Sequence, residues 1–240
     1  MGTIFNMEGP LMQGLTKFAD LIILNVITFI CCIPIVTAGA AFTALHYVCL
    51  KMVRGEECYI VKDYFKSFRA NFKQATVIWL ILLVALGVFV CDLVVMYVAE
   101  IQFPFIVRAL VLLLGILVMS VFMFVFPLQS KFENPVKQTI KNAFKASMLQ
   151  FHKTIVMIAM IFIPPVLILL YGNLIPIVIM TCISVPAYVS ALMYNKFFAK
   201  IEARFADEEV QDGVDEGEDE RIFHDELDVR EVKVPFLTVV

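Results

Sequence analysis

Gln74–Ala99 reads QATVIWLILLVALGVFVCDLVVMYVA, with Asp92 as its only charge. A helix of this length rises about 39 Å, more than the roughly 30 Å of a hydrocarbon core. A second run, 103–128, carries only Arg108. Glu100-Ile101-Gln102-Phe103-Pro104 separates the two as a short polar turn. The pattern predicts a helical hairpin inserted in a bilayer.

Further pairs flank this one. Segments 154–171 and 174–198 are apolar and are divided by Tyr171-Gly172-Asn173. Pro164, Pro165, Pro176 and Pro186 interrupt them, and each proline removes a backbone donor and favours a kink. Toward the amino terminus, 18–36 is apolar around Asp20 and Asn25. The turn Pro34-Ile35-Val36-Thr37-Ala38-Gly39 leads into 38–54. The apolar part of that segment, 40–54, spans about 22 Å, which is short for a crossing. The fold class expected is therefore all-α. It is a membrane helical bundle of six helices in three hairpins, with cytoplasmic amphipathic helices between them. A five-span chain with its second segment at the interface fits the same pattern. Ala38-Gly39-Ala40 has the form of a signal-peptide cleavage site, but Lys17 is the only base among residues 1–17, so the basic amino-terminal region is missing.

Composition points the same way. The chain has 240 residues, 61% hydrophobic and 17% charged, and its mean hydropathy is +0.88. Soluble domains are about 45–50% apolar, so lipid must cover much of this surface. Charge is segregated: residues 205–240 hold thirteen acids against three bases, and residues 1–204 nine acids against sixteen bases. The basic residues set orientation. They gather in 55–73 (Lys62, Lys66, Arg69, Lys73), in 129–153 (Lys137, Lys141, Lys145) and after the last span (Lys196, Lys200, Arg204). All three regions are expected in the cytoplasm. The two basic loops also look alike, Phe65-Lys66 and Phe72-Lys73 matching Phe144-Lys145 and Phe151-His152. Either an internal repeat or the shared needs of juxtamembrane helices explains this. Residues 1–17 form an amino-terminal segment, 18–204 the membrane domain and 205–240 an acidic, disordered tail. The tail excludes nucleic acid as a partner. It ends Val234-Pro235-Phe236-Leu237-Thr238-Val239-Val240, a docking peptide or a plain end.

A longer pattern covers residues 15–80. Asp20-Leu21-Ile22-Ile23-Leu24-Asn25 is followed by Cys32-Ile33-Pro34-Ile35-Val36-Thr37-Ala38-Gly39-Ala40-Ala41-Phe42-Thr43-Ala44-Leu45. Then come Arg54-Gly55-Glu56-Glu57 and Asp63-Tyr64-Phe65-Lys66-Ser67-Phe68-Arg69-Ala70-Asn71-Phe72-Lys73-Gln74-Ala75-Thr76. In order and spacing these resemble the YesL family of bacterial multi-pass membrane proteins. The resemblance implies a bacterial cell membrane and no assigned catalytic residue. It also implies an accessory role beside carbohydrate uptake, with ABC-transporter subunits as partners.

Candidate sites follow from cost. A carboxylate within a span costs about 2.5–3.5 kcal/mol, so Asp92 is expected to face a cavity or pair with Arg108, for which Glu100 competes. Asp20, Asn25, Pro34, Thr37, Gly39, Thr43 and His46 form a second polar and close-packing set. Asp20 is expected to cap the first helix, Asn25 to bond across helices and His46 to pack. The basic faces are expected to anchor to anionic lipid or dock a cytoplasmic partner. The cysteines (Cys31, Cys32, Cys49, Cys58, Cys91, Cys182) show no C-x-x-C spacing and read as small apolar residues. The sequence has no Walker, H-E-x-x-H or G-x-S-x-G motif. The expectation is a non-catalytic membrane protein without cofactor or metal, with the lipid bilayer as its first partner. A small transporter or channel with a polar site in the bundle is the alternative.

Overall fold

The computed structural model describes residues 10–98, 104–132 and 134–215. Among the described residues all regular structure is helical. The helices are α1 (Pro10–Cys32), α2 (Ala38–Arg54), α3 (Ile60–Val98), α4 (Phe105–Lys131), α5 (Val136–Leu149), α6 (Phe151–Leu170), α7 (Ile175–Ile179) and α8 (Ser184–Asp215). Among the described residues five stretches are long and apolar enough to cross a membrane: Met12–Cys32, Ile35–Arg54, Ile60–Met96, Phe105–Lys131 and Phe151–Leu170. The chain is a multi-pass membrane protein.

Local chemistry sets the boundaries. Gly55 ends α2 in the left-handed region at φ 71°, its N–H returning to the Lys51 and Met52 carbonyls. A side chain is strained there, which is why glycine stops the helix. Asp63 Oδ2 accepts the Tyr59 N–H at 3.1 Å, securing the first turn of α3. Prolines at 104 and 135 stand directly before α4 and α5. The segment expected at 174–198 is divided, because α7 stops at Ile179 and α8 starts at Ser184. Pro186, lacking an N–H, cannot bond back to the Cys182 carbonyl, so the helix is not continuous through 180–183.

The two basic loops fold differently. Residues 60–73 are the first part of the unbroken α3, whereas α5 is a separate helix joined to α6 through Gln150. Nothing in 60–73 breaks a helix. At Gln150 the chain bends, and Thr154 Oγ1 donates to the Ser147 and Gln150 carbonyls across the bend (3.2 and 3.1 Å).

Contacts fix the relative heights. α3 and α4 run antiparallel: Gln129 Nε2 donates to Gln74 Oε1 at 2.7 Å, and Gly115 lies against the Phe89 ring. α2 lies along the other half of α3. Lys51 Nζ is 3.4 Å from Asp63 Oδ2, Phe42 and Trp79 have ring centroids 5.8 Å apart, and Trp79 Nε1 donates to the Ile35 carbonyl at 2.7 Å. At Gly39 a Cβ would stand 2.5 Å from the Ala75 carbonyl oxygen and the Trp79 Cβ, so only glycine allows this approach. The turn between α1 and α2 therefore lies near Trp79. From Trp79 α3 continues to Val98, about 28 Å further.

Candidate functional site

The gap between α7 and α8 strands backbone groups inside an apolar bundle, where each unpaired group costs about 1–3 kcal/mol. Asn25 of α1 supplies their partners. Its Nδ2 donates to the Ile179 carbonyl at 2.9 Å. Its Oδ1 accepts from the Ile183 and Ser184 N–H groups at 3.0 and 3.2 Å. One buried amide thus stands in for the missing turn of helix.

Beside the gap lies a cavity of about 290 Å³, bounded by α2, α4, α6 and α8. Phe42, Leu45, Phe122, Met157 and Ile161 make its walls chiefly apolar, and His46, Ser190 and Cys182 are its polar edge. His46 Nδ1 is 3.2 Å from the Tyr194 hydroxyl, and the tautomer decides which of the two donates. A further apolar space of about 220 Å³, lined by Leu82, Leu86, Val118 and Met119, shares Phe122 and Ile161 with the first. Such a site suits an apolar body with one hydrogen-bonding group better than a sugar, whose many hydroxyls would lack partners.

A second polar layer closes the end of the bundle where α2 and α4 stop. Arg54 Nη1 and Nη2 donate to the two carboxylate oxygens of Glu202 at 3.0 and 3.1 Å. Its Nε donates to Asn195 Oδ1 at 3.0 Å, and Lys131 Nζ is 3.5 Å from the same carboxylate. Thr139 Oγ1 donates to Gln129 Oε1 at 3.2 Å, extending the Gln74–Gln129 bond into α5. The first group ties α2, α4 and α8 together, and the second ties α3, α4 and α5. Between its start and Gln74, α3 buries Asp63, Tyr64, Ser67 and Asn71 and exposes Lys62, Lys66, Arg69 and Lys73. Likewise α5 buries Thr139, Asn142, Ala143 and Ala146, leaving Lys137 and Lys141 exposed and Lys145 half-buried.

The residues singled out in the sequence do not form one site. Asn25 and His46 both reach the α7–α8 region. Pro34, Thr37 and Gly39 close the first turn, Thr37 Oγ1 donating to the Cys31 and Pro34 carbonyls at 2.6 and 2.8 Å. Thr43 bonds within its own helix to the Gly39 carbonyl. Asp20 caps nothing, because α1 already begins at Pro10 and places it mid-helix. Asp92 is half-buried and Arg108 exposed, and among the described residues no ion pair joins them. The Phe89–Gly115 contact sets the register: Asp92 lies about 4.5 Å past it along α3 and Arg108 about 10.5 Å past it along α4. The competing Glu100 lies outside the described residues. The same is true of residues 99–103, the amino-terminal nine residues and 216–240, whereas α8 runs through Asp215 into the acidic stretch. Tyr194, Asn195 and Glu202 escaped sequence reasoning, since nothing local marks their partners. Gln129, a lone amide at the end of an apolar run, was a signal that could have been read.

Among the described residues no group of three His, Cys, Asp or Glu side chains is placed to hold a metal ion. Residues 21–93, from α1 to late α3, match a family model described as "Protein of unknown function, DUF624". No curated protein matches the chain. No solved structure matches it either.

Proposed function

We propose that this protein is a non-catalytic membrane component that docks a partner on its cytoplasmic face. The observation behind this reading is the pairing of a rigid polar layer with the basic faces it carries. Arg54, Lys131, Asn195 and Glu202 lock the helix ends. Lys62, Lys66 and Arg69 then project on an unbroken helix. The resemblance to YesL proteins suggests the subunits of a carbohydrate ABC uptake system in a bacterial plasma membrane. Affinity purification from native membranes in mild detergent tests this. Permease subunits should co-purify, and recovery of the chain alone would count against it.

The same reading includes a topology. The basic ends are cytoplasmic, as in the six-span arrangement, but the heights favour a first hairpin that enters from the cytoplasm and turns back. Its turn sits near Trp79, and Ile33, Ile35 and Val36 are exposed and apolar. Thr37 and Trp79 satisfy the carbonyls of Cys31, Pro34 and Ile35, as a turn surrounded by lipid requires.

The cavity supports a second reading, transport or binding of a membrane-soluble ligand. Its apolar lining favours an amphiphile over a polar solute. Flux or ligand-binding measurements in liposomes comparing the native chain with His46→Phe, which fills the polar edge, would separate this from docking alone.

A further inference from the structure

We propose that the cavity between α2, α4, α6 and α8 takes an uncharged, single-chain molecule ending in a hydroxyl, which is held at the break between α7 and α8. This names the ligand class for the ligand-binding reading of the same cavity, on which it rests. Three polar groups of residues lining the cavity have no partner among the described residues. The first is the Cys182 carbonyl. Pro186 has no N–H to return to it, and the next N–H, that of Ala187, goes to the Ile183 carbonyl at 3.2 Å. The second is the hydroxyl of Ser190, one turn beyond Pro186 on α8 and 6% exposed. The third is His46 Nε2, because Nδ1 is taken by the Tyr194 hydroxyl at 3.2 Å. Asn25 Oδ1 accepts from the Ile183 and Ser184 N–H groups, which holds the break in place.

One ligand group answers all three. A hydroxyl has one donor and two lone pairs. It can donate to the Cys182 carbonyl while accepting from Ser190 and from His46 in the tautomer that protonates Nε2. Among the described residues that line the cavity there is no Asp, Glu, Lys or Arg. A carboxylate, phosphate or ammonium head would therefore be buried without a counter-charge, which costs far more than burying a neutral hydroxyl. Volume limits the body. An apolar cavity of about 150 Å³ admits one benzene, so one twice as large admits roughly a dozen carbons. The observed volume is about 290 Å³, which fits one chain and not the two of a bilayer phospholipid.

The probe is dodecan-1-ol carrying a mid-chain diazirine, photolysed with the full-length chain in phosphatidylcholine nanodiscs. The expected result is saturable labelling of the peptides that contain His46 or Ser190. Unlabelled dodecanol should compete at least tenfold better than dodecane or dodecyl phosphate at equal mole fraction in the bilayer. Pro186→Ala gives the Cys182 carbonyl an N–H partner, and Ser190→Ala removes the second group. Each should raise the half-saturating mole fraction about threefold to tenfold, the loss of one neutral hydrogen bond. Should Pro186→Ala fail to fold, Ser190→Ala decides alone. Equal competition by dodecane, stronger competition by dodecyl phosphate, or labelling indifferent to either substitution in a folded chain would overturn the proposal while leaving a ligand in the cavity. If neither this probe nor the matching diazirine alkane labels the cavity saturably, the ligand-binding reading falls as well.

Discussion

Arg54 and Glu202 meet as a two-point ion pair, each terminal guanidinium nitrogen on its own carboxylate oxygen. The pair joins the end of α2 to α8 and is mostly shielded, with side chains 16% and 27% exposed. Hydrogen bonds to charged groups at such sites contribute about 1.5–3 kcal/mol. Arg54→Lys keeps the charge but loses the planar fork and cannot hold Asn195 as well. It should lower the unfolding temperature nearly as much as Arg54→Ala. A double-mutant cycle with Glu202→Gln should show a coupling of about 1–2 kcal/mol, the lower part of that range because Lys131 remains beside the site. Additive losses would show that the two side chains act separately.

Asn25 bonds to both sides of the α7–α8 gap. Asn25→Leu has similar volume but strands the Ile183 and Ser184 N–H groups and leaves the Ile179 carbonyl only the weak Cys182 thiol donor. At about 1–3 kcal/mol for each unpaired buried group, and with relaxation recovering part, a loss of about 2–5 kcal/mol is expected. Hydrogen exchange at 183–184 should accelerate well before global unfolding. Unchanged protection there would mean that the gap is held by packing instead.

The first hairpin gives a topological prediction. In a cysteine-free background, Val36→Cys should resist a membrane-impermeant maleimide applied from either side, because the turn ends within lipid. Gln102→Cys, in the α3–α4 turn, should label from outside. Labelling of position 36 from outside as readily as position 102 would restore a complete crossing and remove the re-entrant reading.

These cases mark how far the sequence could be read. The hairpin of α3 and α4 is legible because hydropathy and length alone set it. So are the amphipathic faces, since burial of Tyr64, Ser67 and Asn71 against exposure of Lys62, Lys66 and Arg69 follows helical periodicity. Asn25 was legible as an amide too deep to lack a partner, though not that its partner is a broken helix 154 residues away. The height of the first hairpin was hidden, because it depends on Gly39 meeting Trp79 and on where Phe42 stacks. Hydropathy reports that a segment prefers lipid and says nothing of how far it travels through it. The Asp92–Arg108 expectation rested on depth alone, and depth does not fix the face of each helix from which a side chain leaves.

Cys58 supplies a pH-dependent readout of the loop between α2 and α3. Burial, and then the charge and hydrogen bond of the neighbouring Asp63 carboxylate, push its thiol up to about 11, with Lys51 acting weakly the other way. An unperturbed thiol titrates near 8.5, and only the thiolate reacts. At pH 8 alkylation of Cys58 should therefore be slower than that of a free thiol by about two orders of magnitude. The rate should keep rising about tenfold per pH unit to beyond pH 10, since the reactive form is still accumulating there. Asp63→Asn removes the second cause and leaves the first. Its rate at pH 8 should rise several-fold while staying below that of the free thiol. Because Asp63 also accepts the Tyr59 N–H and pairs with Lys51, a rate equal to the free thiol would mean that the loop had opened, which faster hydrogen exchange at Tyr59 would reveal. Peptide-resolved mass spectrometry of alkylation against pH provides the profile, and a half-maximum near 8.5 in the native chain would show that Cys58 is neither buried nor held by Asp63.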